Sequence, residues 1–276
     1  MNYWEFSITA QAEIREILLG LLSGLPFDSF QETETGFSAF LPENGTLEEV
    51  EAEVRSLADW WGFSYQVFKL PAQNWNEIWE SNFPPVLVES FCGIRADFHP
   101  PFEAVRHEIV INPKMAFGTG HHETTHMMIQ LMENLPFAGL VVLDYGCGTG
   151  ILAILAALLG ASSVDAVDIE EAAVDNSREN AGRNGVDQQL HLYLGDLNAV
   201  PPKTYQVILA NINRNVILES LPALNEKLGQ GGILLISGIL ISDRDVVMDA
   251  ARQAGFKEVA SLERGNWMAA HLQKIS

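Results

Sequence analysis

The sequence predicts an α/β fold with an open sheet, preceded by a smaller α+β domain. Three observations support this prediction. The chain has 276 residues, 47% of them hydrophobic and 19% charged, which is enough length for two domains and enough apolar surface for their cores. The first seventy residues alternate strand-like and helix-like patterns. From residue 86 onward, short apolar runs alternate with helical stretches, as in sheets whose strands are buried on both faces.

We predict that residues 1–70 form the first domain. Its elements follow the order strand, helix, strand, strand, helix, strand, which is that of a split-βαβ, ferredoxin-like unit. The strands are predicted at 3–9, 27–33, 37–41 and 63–70, and the helices at 11–22 and 46–60. Residues 32–36 make a hairpin turn, and Thr46 with Glu49 makes a capping box. Residues 71–85, which begin and end with proline, form a linker helix.

Residues 86–276 form the second domain. It begins with two strand-like runs and a helix, and it continues with the strand-helix alternation of an open sheet. The first strands are predicted at 86–96 and 104–111, and the helix at 122–135. The later strands are predicted at 140–144, 164–168, 190–194, 207–211, 233–237, 256–262 and 267–272.

Charge and composition exclude several classes of function. Sixteen basic against thirty-six acidic residues give a net charge of −20, which would repel a phosphate backbone, so we expect no direct binding of nucleic acid. The same field could attract a basic macromolecule.

No apolar run reaches the roughly 20 residues that span a bilayer, and the amino terminus lacks a signal-peptide pattern, so we expect a cytoplasmic protein without a membrane segment. Cys92 and Cys147 are expected to be reduced.

A glycine-rich turn follows the buried run before residue 145. Asp144, Gly146, Gly148 and Gly150 match the D-x-G-x-G-x-G loop of S-adenosylmethionine-dependent methyltransferases. A dinucleotide fingerprint, G-x-G-x-x-G, would need its third glycine at position 151, which is Ile151. The spacing therefore argues against a nicotinamide cofactor.

Polar side chains end, or closely follow, the next three predicted strands. Asp168 suits the two hydroxyls of an unphosphorylated ribose, since each hydroxyl can donate to a carboxylate. Asp196 could meet the adenine amino group. Asn211 can accept from an amine and donate to the cofactor, which suits methyl transfer to nitrogen.

A competing pattern occurs in the segment before the glycine loop. His122, Glu123 and His126 fit H-E-x-x-H, in which two histidines bind zinc and the glutamate acts as a base. No third histidine follows at the metzincin spacing, and Ile129 stands where that longer motif needs glycine. A zinc hydrolase is thus the weaker alternative, and we expect no metal.

Two longer segments are distinctive: residues 116–125, Ala-Phe-Gly-Thr-Gly-His-His-Glu-Thr-Thr, and residues 144–154, which contain the glycine loop. Both resemble the PrmA family, the methyltransferases that modify ribosomal protein eleven of the large subunit. Further similar segments are 75–84, 167–169, 179–181, 184–186, 210–212, 237–240 and 266–267. One departure lies at residues 213–215, Asn-Arg-Asn, where many relatives have small residues and a proline.

The resemblance implies a ferredoxin-like substrate-recognition domain, a linker and a class I methyltransferase domain. It implies methyl transfer from S-adenosylmethionine to lysine ε-amines, and to an α-amine, of that ribosomal protein, with S-adenosylhomocysteine as product. An N-methyltransferase of another protein or of a small molecule is the alternative, and we expect a monomer. The implied catalytic residues are Asn211 and Thr124. The implied cofactor contacts are Thr125, Gly146, Gly148, Asp168 and Asn211, with Phe117, Gly118, Thr119, Gly120, His122 and Asp196 as further contacts.

Overall fold

The computed structural model describes residues 3–33, 35–43, 47–70, 84–112 and 122–275. The chain divides into two compact units, Met1–Trp79 and Glu80–Ser276. The linker helix predicted at 71–85 lies outside the described residues except for Pro84 and Pro85, which have no regular structure. None of the described helices is both long and apolar enough to cross a membrane.

The first unit contains the six elements in the predicted order. They are β1 (Tyr3–Thr9), α1 (Ala12–Leu22), β2 (Ser29–Thr33), β3 (Gly36–Pro42), α2 (Leu47–Trp61) and β4 (Ser64–Leu70). The sheet order is β2-β3-β1-β4, and every neighbouring pair is antiparallel. Thr46 of the predicted capping box lies outside the described residues.

Apolar spacing explains why this unit folds around one core. Phe6 and Ile8 alternate along β1 with half-buried residues and point to the same face of the sheet. Val50 and Val54 lie one turn apart on α2 and are buried with them, whereas the acidic residues Glu48 and Glu49 of α2 are exposed. The helix therefore buries its apolar stripe and leaves an acidic face in solvent.

The second unit begins with a small three-stranded sheet that corrects two predictions. It contains β5 (Val86–Val88), β6 (Cys92–Ala96) and β7 (His107–Ile111), in the order β5-β6-β7. The single strand predicted at 86–96 is wrong, because the chain reverses after β5 at Glu89, which has a φ of 51°, and β6 runs antiparallel to β5. The strand predicted from residue 104 begins only at His107.

The main sheet has seven strands in the order β10-β9-β8-β11-β12-β14-β13, parallel from β10 to β12 and antiparallel beyond. Its strands are β8 (Val141–Tyr145), β9 (Ser163–Asp168), β10 (Leu190–Leu194), β11 (Tyr205–Asn211), β12 (Leu228–Leu240), β13 (Phe256–Arg264) and β14 (Trp267–Lys274). Its helices are α3 (Glu123–Glu133), α4 (Ile151–Leu158), α5 (Glu171–Arg183), α6 (Arg214–Lys227) and α7 (Arg244–Gln253).

The position of the strand ends matters for function. In an open parallel sheet, ligands bind beyond the carboxyl ends of the strands near the point where the strand order reverses. That point here is β8, which has β9 on one side and β11 on the other. Asp168 ends β9 and Asn211 ends β11, so the fold brings the predicted site residues to one edge.

Candidate functional site

The glycine loop after β8 has the backbone that its sequence predicts. Gly146, Gly148 and Gly150 all have positive φ, at 75°, 55° and 80°, a region that side chains with a Cβ disfavour. The backbone N–H groups of Gly146 and Cys147 both donate to the carbonyl oxygen of Val167, at 2.8 and 3.1 Å. The loop is thereby fixed against the end of β9.

All the described hydrogen bonds of the Asp168 carboxylate come from backbone N–H groups. Its Oδ2 accepts from the N–H of Gly148 at 2.9 Å, and its Oδ1 accepts from the N–H of Glu170 at 3.0 Å. A carboxylate oxygen can accept about two hydrogen bonds, so each oxygen keeps one acceptor position. The side chain is half-buried, so those positions are available to the two hydroxyls of a ribose.

Asp144, at the start of the glycine motif, is buried instead, with 1% of its surface exposed. Its Oδ2 accepts from the N–H of Ala153 in the first turn of α4, at 3.0 Å. Burial and, to a smaller extent, the charge of Asp168 raise the pKa of Asp144 against the hydrogen bond from Ala153, which lowers it, and the resulting pKa is about 7. Asp144 therefore anchors the loop to α4.

Asn211 and Thr125 meet at this edge. The Nδ2 of Asn211 donates to the Oγ1 of Thr125 at 3.2 Å. Thr125 lies in the first turn of α3 and is 2% exposed, whereas Asn211 is half-buried. The hydrogen bond joins the start of α3 to the end of β11, two segments that are 86 residues apart in sequence.

Two glycines enclose the residue after Asn211. A Cβ added to Gly146 would collide with the side chain of Ile212, and one added to Gly238 would collide with its carbonyl oxygen. Gly238 also has a φ of 87° and lies where the register of β12 shifts against β14. Ile212 is therefore held between the glycine loop and a bulge in β12.

The unusual residues 213–215 have structural roles in this loop. Asn213 caps α6, since its Oδ1 accepts from the N–H of Val216 at 3.1 Å. Arg214 forms an ion pair with Asp243, with 2.9 Å between NH1 and Oδ1. These contacts attach the loop after β11 to the segment after β12.

The histidines of the H-E-x-x-H pattern have different surroundings. His122 caps α3, and its Nδ1 lies 2.7 Å from the Oγ1 of Thr124 and accepts from that residue's N–H at 3.3 Å. Its ring packs edge-on against Trp267, with the centroids 4.8 Å apart. His126 lies inside the helix, where burial and the charge of Arg264 lower its pKa. Among the described residues, no group of three metal-binding side chains occurs.

Asp196 makes its described hydrogen bonds within its own turn. Its carboxylate is exposed and accepts from the N–H and the Nδ2 of Asn198, at 2.8 and 3.2 Å, which forms a turn. Gly195, just before it, donates to the carbonyl of Asp168 at 2.8 Å, so the turn begins beside the site.

Two apolar residues at this edge were missed by the sequence analysis. Ile169 follows Asp168 directly and is 74% exposed, and Leu194, paired with Asp168 in register, is 54% exposed. The sequence signal that could have indicated Ile169 is an isoleucine directly after the acidic residue that ends a predicted strand. The predicted contacts Phe117, Gly118, Thr119 and Gly120 lie outside the described residues.

Comparison with known proteins gives consistent matches. A family model described as "Ribosomal protein L11 methyltransferase (PrmA)" matches residues 22–275. Proteins named ribosomal protein L11 methyltransferase are similar along the chain: one from Porphyromonas gingivalis is 38% identical, covering 92% of this chain and 89% of its own, and one from Phocaeicola vulgatus is 36% identical, covering 98% of both. The crystal structure of ribosomal protein L11 methylase from Lactobacillus delbrueckii subsp. bulgaricus superimposes with a TM-score of 0.64 at 29% identity, covering 70% of this chain and 99% of that one.

Proposed function

Because the chain belongs to the PrmA family of ribosomal protein L11 methyltransferases, it is an S-adenosylmethionine-dependent protein methyltransferase, and we propose that it methylates lysine ε-amines and the α-amine of ribosomal protein L11. Its second unit has the class I methyltransferase fold. The observation that carries the amine proposal is the carboxamide of Asn211, held by Thr125 at the carboxyl edge of the sheet.

The residues at this edge fit the cofactor. The glycine loop has no Cβ at three of its five positions, so a ligand can approach its backbone closely. We assign the two free acceptor positions of Asp168 to the ribose hydroxyls, and the exposed side chain of Ile169 to one face of the adenine. Without the cofactor, water covers this apolar side chain. The adenine ring can displace that water, which is favourable because apolar surface leaves the solvent.

Asn211 is the residue that we assign to the substrate amine. Its NH₂ group donates to Thr125, so the amide oxygen is at the other end of the carboxamide. An amide oxygen accepts from an amine N–H without taking up the proton, so it can direct the nitrogen lone pair toward the methyl donor. Thr124 is the secondary polar contact that we assign, next to Thr125 on α3.

Catalysis by this edge requires alignment more than acid–base chemistry. S-adenosylmethionine supplies a methyl group on a positively charged sulfur, which makes it electrophilic before it binds. The protein must hold the amine in line with that methyl group and keep the nitrogen neutral. A lysine with a pKa of about 10.4 loses its proton more easily in a site of low polarity, because burial disfavours the charged amine.

We assign recognition of the ribosomal protein to residues 1–70, and methyl transfer to residues 86–276. Of the 36 acidic residues in the chain, 14 lie in residues 1–80, against three basic ones. The exposed face of α2 carries Glu48, Glu49 and Glu53, and Trp60 at its end is 83% exposed. Acidic and aromatic side chains together suit a basic protein partner. A monomer in the cytoplasm, without direct nucleic acid binding, remains our expectation.

Mass spectrometry tests the acceptor atom. Ribosomal protein L11 incubated with the enzyme and S-adenosylmethionine should gain mass in steps of about 14 Da, and digestion should locate the methyl groups on amines. The matched substrate is L11 whose amines have first been acetylated chemically, which should gain none. Methylation of the acetylated protein would place the reaction on another atom and disprove the amine proposal.

The variant Asn211→Ala tests the assigned role of the carboxamide. We expect kcat to fall about 30-fold and the dissociation constant of S-adenosylhomocysteine to change less, because the lost group positions the amine. Thr125→Val, which keeps Asn211 but removes its partner, should lower kcat by a smaller factor. An unchanged kcat in Asn211→Ala would remove this residue from the mechanism.

A further inference from the structure

Two asparagines line the face of α5 that turns toward the glycine loop and β7, and a third caps the carboxyl end of this helix. Asn176 and Asn180 lie one turn apart on the helix, and Asn184 follows four residues later as the cap. Asn176 is 1% exposed, Asn180 is fully buried and Asn184 is half-buried. Asparagine is a poor helix former and is costly to bury unless its hydrogen bonds are made. Three asparagines at a spacing of four residues therefore indicate a specific hydrogen-bond network.

Asn180 stands at the centre of this network. Its Nδ2 donates to the carbonyl oxygen of Thr149 in the glycine loop at 2.9 Å and to the Oδ1 of Asn176 at 2.8 Å. Its Oδ1 accepts from the N–H of Asn112, just beyond β7, at 2.8 Å. One carboxamide therefore makes three hydrogen bonds and connects the glycine loop with the end of β7.

Asn184 makes the same number of hydrogen bonds without reaching the loop. Its Nδ2 donates to the carbonyl oxygens of Val110 and Asn180, at 2.7 and 2.8 Å, and its Oδ1 accepts from the N–H of Val110 at 2.9 Å. The two asparagines thus share their side-chain chemistry and a neighbouring strand, with Asn180 inside α5 and Asn184 as its carboxyl cap. They differ in whether the glycine loop is a partner.

A second side chain of α5 holds the adjacent carbonyl of the loop. Ser177 donates its hydroxyl to the carbonyl oxygen of Gly148 at 2.8 Å. The carbonyls of Gly148 and Thr149 are therefore both turned toward α5. In a trans peptide the C=O and the following N–H point in opposite directions, so these bonds also fix the direction of the next N–H groups.

We propose that Asn180 is a positioning residue for cofactor binding, which sets the orientation of the Thr149–Gly150 peptide in the glycine loop. This rests on the loop being the cofactor-binding loop of the methyltransferase. Glycines with positive φ permit many backbone conformations. The N–H groups of Gly146 and Cys147 hold the start of the loop against β9, the N–H of Gly150 donates to the carbonyl of Cys147 at 2.8 Å, and the hydrogen bonds from α5 fix the carbonyls of the second half. Asn180 acts through the loop and needs no contact with the cofactor.

The experiment compares Asn180→Asp with Asn184→Asp in the full-length protein. Each change keeps the shape and the acceptor oxygen, removes both donated hydrogen bonds and adds one negative charge. We expect Asn180→Asp to weaken binding of S-adenosylhomocysteine, measured by calorimetry, about tenfold, and Asn184→Asp to stay within about twofold of wild type. Binding of this ligand does not depend on which protein is methylated, so failure here is distinct from failure of the amine proposal.

Thermal unfolding separates positioning from a general structural role. A general role predicts lower melting temperatures in both variants and wild-type affinity whenever the protein is folded. Equal weakening of binding in both variants, or wild-type affinity in folded Asn180→Asp, would overturn the proposal.

If Asn180→Asp does not fold, Ser177→Ala decides, with Ser162→Ala as its control. The Ser162 hydroxyl donates to the carbonyls of Gly139 and Leu140, at the opposite end of β9. We expect Ser177→Ala to weaken binding about threefold and Ser162→Ala to have no effect on it. No difference between the two serine variants would reject the proposal.

Discussion

Two aspartates of β9, three residues apart, show how one strand serves both the fold and the site. Asp165 is fully buried, and its carboxylate contacts the Nζ of Lys203 at 2.9 and 3.0 Å and the hydroxyl of Tyr205 at 2.6 Å. Asp168 is half-buried and accepts from two backbone N–H groups. The first is paired with a cation, whereas the second has no cation among its described contacts and keeps two acceptor positions.

The difference explains which acid can bind a ligand. A buried carboxylate is stable only when it is paired, and pairing uses its charge and its acceptor positions. Burial and the bond to Asp165 raise the pKa of Tyr205, so the phenol remains a donor. Backbone N–H groups hold a carboxylate in place without neutralising it. An acid fixed in that way at a sheet edge is prepared for hydroxyl groups.

The largest effect that we predict would break this comparison at Asp168. Asp168→Ala should weaken binding of S-adenosylhomocysteine at least about 100-fold, since two hydrogen bonds to a charged acceptor are lost. Stability should change little, because the freed N–H groups of Gly148 and Glu170 can bond to water. Calorimetry and denaturant unfolding measure the two effects. Asp196→Ala is the control. An equally large loss of affinity in that variant would contradict the assignment of the main charged contact to Asp168.

The next effect concerns stability at Asp165. Tyr205→Phe keeps the ring and removes the hydroxyl that donates to the buried carboxylate, so the free energy of unfolding should fall by about 2 kcal/mol. Urea unfolding measures this, and kcat at 25 °C should stay at the wild-type value. Tyr193→Phe, a half-buried neighbour, should cost less. A loss of activity without a loss of stability would contradict a purely structural role for Asp165.

The last effect sharpens the comparison with the third acid, Asp144, which is buried without a cation among its described contacts. Its pKa is raised from 3.8 to about 7, so between these values the folded protein binds the proton more tightly than the unfolded chain does. Wild-type stability from this group therefore falls as the pH rises through that window. An asparagine side chain does not titrate, so Asp144→Asn should gain stability over wild type on the order of 1 kcal/mol per pH unit between pH 5 and 7. Urea unfolding at several pH values measures this, and a pH-independent difference would show that Asp144 is ionised throughout.

The place of the candidate site in the fold could be predicted, because two of its residues end parallel strands at the same edge of one sheet. Asp168 and Asn211 follow buried apolar runs, and parallel strands bring their carboxyl ends to one edge, so local pattern was sufficient. The prediction of the glycine loop also needed only local sequence, since the spacing of its glycines favoured S-adenosylmethionine over a nicotinamide cofactor. The strand-helix order of both units followed from the same periodicity.

What could not be predicted depends on pairing across the chain or on unusual backbone. Nothing next to Asp165 in sequence indicates that Tyr205, forty residues later, is its partner. The hairpin at Glu89 was missed because a positive φ usually requires glycine or asparagine. The asparagines of α5 were visible as a four-residue repeat, but their partners Asn112 and Thr149 lie 68 and 31 residues away from Asn180.

The asparagine network of α5 also affects the resistance of the protein to deamidation. Asn184 is followed by Gly185, and asparagine before glycine is prone to deamidation, in which the glycine nitrogen attacks the side-chain carbonyl carbon. Three hydrogen bonds hold that carboxamide, and the Gly185 N–H donates to the carbonyl of Gly182 at 3.2 Å, so the folded protein resists the reaction. The asparagine with the most reactive neighbour is the one that does not touch the glycine loop. Within this network, deamidation would therefore first loosen the attachment of β7 and leave the hydrogen bonds to the cofactor loop intact.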